Sequence, residues 1–79
     1  MNSKFADYYE KNPNKFDFKK TGDRIKSLRK DRKKYTQIKL AKKIFKTESS
    51  IRKYEKGLIV IPMNVLIDIA NALDTTVYY

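Results

Sequence analysis

Between Ile25 and Leu73 the apolar residues recur every three or four positions in separate short stretches, a spacing that places each set on one side of a helix. In the first stretch Ile25 and Leu28 share a stripe, so a helix is expected from Thr21, capped by Thr21 or Asp23 and ending near Lys33 or Lys34. Thr36 has the side-chain oxygen of an N-cap, and Ile38, Leu40, Ala41 and Ile44 follow it as a short second helix. Phe45 and Lys46 form the next joint. Thr47 then caps a third helix in which Ile51 and Tyr54 lie three apart, and Gly57 is placed to end it in a left-handed conformation. An apolar connection, residues 58–61, leads to Pro62, a residue suited to the first turn of a helix because its missing N–H is not needed there. Val65, Leu66, Ile69, Ala70 and Leu73 make that fourth helix the one against which the others close.

With 79 residues the chain forms at most one domain, near the lower end of what buries a self-supporting core. It has no cysteine and no histidine, so no disulfide forms and the usual zinc ligand sets are missing. Residues 1–21 read as a separate arm or accessory segment ahead of a domain over 22–79. Phe5, Tyr8 and Tyr9 suggest a short amphipathic turn, Asn12-Pro13-Asn14 breaks it, and Phe16-Asp17-Phe18 alternates like a strand. Two readings of this segment stay open: an arm or dimerisation element, and a partly ordered tail. The first ten residues mix charge with aromatics and lack the apolar stretch of a secretory signal. No apolar run approaches the roughly 20 residues that span a bilayer, so a cytoplasmic protein without membrane association is expected.

The formal net charge is +10, which makes an anion the expected partner. All 19 lysines and arginines lie between Lys4 and Lys56, leaving the C-terminal part without a cation. There is no nucleophile motif, no phosphate-binding loop and no carboxylate cluster at metal spacing, so neither catalysis nor a cofactor is expected. Two short helices joined by a few residues, the second rich in small polar and basic side chains, are what insertion into a DNA major groove about 12 Å wide requires. Thr36-Gln37, Leu40-Ala41, Ser50-Ile51, Tyr54-Glu55, Gly57, Pro62 and Ile69-Ala70-Asn71-Ala72-Leu73 carry, in order and at matching spacing, a pattern that resembles the phage repressor and Cro type of helix-turn-helix regulator, also described as XRE-like. Ala41 is small enough for two helices to cross closely, and Ile51 fills the angle between them.

The resemblance, which spans residues 22–77, implies an all-α, λ-repressor-like domain of four to five helices that binds double-stranded DNA. It implies that Arg29 pairs with Glu55 to hold the recognition helix on its scaffold, and that Gln37 hydrogen-bonds a phosphate with the help of the helix dipole. Base contacts fall on Glu48, Ser49 and Lys53 of a recognition helix over 47–56, and Arg52 shares their face, within reach of a base edge or the neighbouring backbone. Lys56, Lys34 and Lys46 are expected at phosphates, and Lys42 and Lys43 add general attraction. One short helix reads few base pairs, so a homodimer on a palindromic operator, with half-sites about 34 Å apart, is the expected form of a transcriptional repressor.

The chain departs from the family pattern in four places. Phe45 stands where glycine is usual and φ is often positive, so either the turn differs or burial of the ring offsets a strain of order 1 kcal/mol. The loop 32–35 also lacks its glycine. Residues 58–61 are apolar where phosphate-touching polar groups are common, and suit a second subunit or the aromatic N-terminal segment. Finally, the sequence stops at Tyr79, where relatives run into a fifth helix; either the N-terminal segment substitutes or this is a piece of something longer. Two other functions remain in play. One is nonspecific binding of RNA or another polyanion, aided by stacking if Tyr8, Tyr9, Tyr78 and Tyr79 cluster. The other is an antitoxin-like module that grips a protein partner while also binding DNA.

Overall fold

The computed structural model describes residues 17–75; the readings made for residues 1–16 and for Tyr78 and Tyr79 lie outside them. The described residues form four α-helices and no strand: α1 (Phe18–Ser27), α2 (Gln37–Lys43), α3 (Glu48–Glu55) and α4 (Met63–Ala72). Between α1 and α2 the chain continues as a π-helical stretch, Leu28–Lys33.

The first helix begins earlier than the apolar spacing indicates. Asp17, expected in a strand-like alternation, is its N-cap, accepting a hydrogen bond from the Lys20 backbone N–H at 3.0 Å. A carboxylate satisfying a free N–H at a helix start is worth about 1 kcal/mol, enough to override a three-residue alternation. Thr21 and Asp23 are therefore inside the helix, where the Thr21 hydroxyl donates to the Asp17 carbonyl and Asp23 accepts from Lys19. The π-helical stretch ends at Lys34, whose φ of 57° lets the Tyr35 N–H close on the Arg29 carbonyl at 2.8 Å.

The threonine caps fall where the sequence puts them. Thr36 accepts from the Lys39 N–H and Thr47 from the Ser50 N–H, both at 3.1 Å. Gly57 ends the region of α3 at φ 69°. Pro62 precedes the first turn of α4, and its carbonyl accepts from the Leu66 N–H.

Leu40, Ile51, Ile61, Ile69 and Leu73 are the most deeply buried side chains, joined by Ile25, Ala41, Ile44, Tyr54, Met63, Val65 and Leu66. Each large one contributes about 1.5–3 kcal/mol by leaving water. Ile61 thereby separates from the rest of its apolar run: it is fully buried, whereas Leu58, Ile59 and Val60 stay exposed. Ile38, grouped with the apolar residues of the second helix, is half exposed. The helices close chiefly through α1 on α3 and α2 on α3, with α4 beneath α2. Gly22, read as the boundary of the N-terminal segment, is an interior residue of α1 and the reason α1 can approach α3. A Cβ there would stand 2.5 Å from the backbone carbonyl oxygens of Tyr54 and Glu55.

Candidate nucleic-acid interface

Helices α2 and α3 are joined by residues 44–47 and pack on one another, with Ala41 2% exposed and Ile51 completely buried at the crossing. The joint keeps the left-handed backbone that glycine ordinarily supplies: Phe45 has φ 58°. Its ring is 93% exposed, so burial does not offset the strain, which was one of the two expected resolutions, and the turn is not of a different kind, which was the other. The turn is held instead by the Lys46 N–H bonded to the Ala41 carbonyl at 2.9 Å.

Below α3 lies a buried polar node. Arg29 donates through Nε to Glu55 Oε2 at 2.7 Å and through Nη2 to Oε1 at 3.0 Å, and its Nη1 donates to the Tyr35 carbonyl at 2.8 Å. Both side chains are more than nine-tenths buried, so each charge depends on the other. The paired fork geometry ties the end of α3 to the turn that follows α1 and to the loop leading into α2. Gln37 joins the node by donating from Nε2 to Glu55 Oε1 at 3.0 Å. One N–H of that amide is thus spent on Glu55, and a second remains for an outside acceptor. This is a contact the sequence did not indicate; it links the first residue of α2 to the last of α3.

The opposite face of α3 is open. Ser49, Arg52, Lys53 and Lys56 are exposed, and Glu48 is partly buried at the helix start. Glu48 accepts from Arg52 Nη2 at 3.1 Å, an i,i+4 pair along this surface. Ser49 and Lys53, one turn apart, carry no ion pair or side-chain hydrogen bond among the described residues.

Between α1, the start of α2 and the end of α3 is a depression lined by Lys19, Asp23 and Lys26, by Gln37, and by Arg52, Glu55 and Lys56. It brings together three of the expected contact residues, Gln37, Arg52 and Lys56. Lys34 and Lys46 are exposed but lie outside it, Lys34 as a left-handed residue itself and Lys46 directly after the left-handed Phe45. It also contains Lys19 and Lys26, which reading the sequence left unassigned. Only the packing of α1 on α3, made possible by Gly22, reveals that their side of α1 borders the recognition helix. Among the described residues no group of acidic, histidine or cysteine side chains could hold a metal ion, and no helix is long and apolar enough to cross a membrane.

Two short helices locked across a tight turn, the second presenting a polar and basic face, define a helix-turn-helix DNA-binding unit. A family model described as helix-turn-helix matches residues 25–79, the greater part of the chain. The protein belongs to this family of XRE-type, Cro-like DNA-binding transcription regulators, whose domains bind double-stranded DNA. Comparison with curated proteins and with solved structures found no match.

Proposed function

We propose that this chain is a sequence-specific repressor that binds a palindromic operator as a homodimer, with α3 and its caps, residues 47–56, in the major groove. The observation that carries the reading is the contrast within α3. Its inner side is fixed by the buried Arg29–Glu55 pair, and its outer side offers Ser49 and Lys53 without a partner among the described residues. Lys53 can donate to guanine O6 and N7, and Ser49 can donate or accept. Glu48 acts at the edge of this surface, by accepting from cytosine N4 or by holding Arg52. Gln37, Lys34, Lys46 and Lys56 fix the register on phosphates, which position a protein without reading sequence.

The exposed Leu58, Ile59 and Val60 support the homodimer, since a contiguous apolar loop beside the recognition helix is best covered by its symmetry mate. Repression needs only occupancy of the site, without further contacts.

Selection of bound sequences from a random duplex pool at near-physiological salt, with tRNA as competitor, tests this. A two-fold symmetric consensus is expected, and it gives the half-site spacing directly. Binding without a consensus, abolished by tRNA, would replace the operator reading with that of a general polyanion binder.

A further inference from the structure

We infer that the depression between α1 and the outer flank of α3 seats one phosphate of the DNA backbone, with Lys26 of α1 and Arg52 of α3 closing on the same group. The inference rests on the proposed insertion of α3 into the major groove, and it assigns Arg52 to the backbone rather than to a base edge.

The geometry of α3 comes first. At 3.6 residues per turn, Arg52 stands about 60° round the helix from Ser49, and Lys53 about 40° the other way. Arg52 is therefore on the flank that faces α1, and with Lys56 it lines the depression that Lys19 and Lys26 border from the other side. A helix lying in the groove points its tip at base edges and its flanks at the walls, and those walls are sugar and phosphate.

The charges agree with that placement. Lys19, Lys26, Arg52 and Lys56 face two carboxylates, Asp23 and Glu55. Glu55 is already neutralised by Arg29, and Asp23 is engaged by Lys19 at 2.8 Å. Among the described residues Lys26 and Lys56 have no ion pair, and Arg52 is tied only to the partly buried Glu48. Gln37, whose amide Nε2 is held by Glu55 at 3.0 Å and has a second N–H to give, lines the same space. The depression thus combines a surplus of positive charge, a fixed amide donor and a wall made by the scaffold helix. A compact tetrahedral anion with several acceptor oxygens meets all three. A base edge offers acceptors but no charge to balance that surplus.

The test uses the whole chain, a duplex carrying the selected operator and a scrambled duplex of equal length, with affinities measured by fluorescence anisotropy from 50 to 200 mM salt. Lys26→Gln and Arg52→Gln are examined singly and together; both sites are exposed, so the unfolding midpoint should not move. Each single change is expected to weaken both duplexes by the same factor. Removing both cations should lower the log-log salt slope by about 0.9, so that about threefold less affinity is lost across that salt range, and each single change should lower it by part of that amount. Because the two side chains share one phosphate, the double variant should lose less than the product of the single losses.

The proposal is overturned if Arg52→Gln relaxes preference at a base position, if Lys26→Gln leaves slope and affinity unchanged, or if the two losses multiply. The reading beneath it fails separately. Should the unaltered chain bind both duplexes equally, operator recognition is wrong, while the shared seat can still be measured on either duplex. If it binds neither, both ideas fall.

Discussion

Helix α3 carries two Arg–Glu pairs of the same chemistry in opposite settings. Arg29–Glu55 sits at its C-terminal end, buried, forked and joined by Gln37 and the Tyr35 carbonyl. Glu48–Arg52 lies along its N-terminal half, with both side chains more than two-fifths exposed and a single contact. A surface pair of this kind contributes about 0.3–0.5 kcal/mol. A buried pair gains little over an apolar substitute, but removing one partner costs about 3–5 kcal/mol because the other charge is stranded. The same two residue types thus serve as a fixed pin at one end of the helix and an exchangeable tie at the other. A recognition helix needs both: an axis that does not rotate and a surface whose partners can be traded for DNA.

The contrast breaks most visibly at the pin. Glu55→Ala should destabilise the domain by about 3–5 kcal/mol, seen as a lower urea midpoint, because Arg29 stays buried without its carboxylate. An unchanged midpoint would mean that Arg29 reaches solvent and that the node is no pin. Next in size is Gly22→Ala, which leaves both charges in place and attacks the approach of α1. The new methyl would meet backbone oxygens that cannot swing aside, so a loss of about 1–3 kcal/mol is expected from overpacking. Retained stability would show that α1 can lift from α3 without disturbing the pair.

Phe45 gives a smaller effect of opposite sign. Its left-handed backbone is strained for an L side chain, and its exposed ring contributes little burial, so Phe45→Gly should raise the thermal midpoint by the equivalent of about 1 kcal/mol. Glycine's larger loss of chain entropy reduces that gain, and a fall in the midpoint would show that the ring contributes more than its exposure suggests.

What could be read from the sequence follows from how local each cause is. Thr36, Thr47 and Gly57 act on N–H and C=O groups within a few residues, so their roles were visible in the bare chain. Arg29 and Glu55 are 26 positions apart, and only the family resemblance paired them. Nothing local marks Gly22 as a crossing point, or separates buried Ile61 from exposed Leu58, Ile59 and Val60, because both depend on where another helix passes. Asp17 was misread for the opposite reason: a local cap was present, but the flanking phenylalanines suggested a different period. In the interface, Ser49 and Lys53 were marked out by the family resemblance, whereas Lys19 and Lys26 need the packed α1 to become neighbours of Arg52.

The finest test is at the exchangeable tie. Glu48→Gln should leave stability within about 0.5 kcal/mol, since an exposed i,i+4 pair is all that is lost. Its consequence lies in binding. Glu48 both occupies Arg52 and repels phosphate, so its neutral analogue should bind operator and scrambled duplex more tightly, with a larger gain on the scrambled one if Glu48 also accepts from cytosine. The ratio of the two affinities separates its roles. An equal gain on both duplexes assigns Glu48 to the sequence-independent roles of holding Arg52 and repelling phosphate; a reduced ratio makes it a reader of sequence as well. Unaltered affinity for both would mean that the tie has no part in binding, and that the two pairs of α3 differ in burial without dividing the work between scaffold and surface.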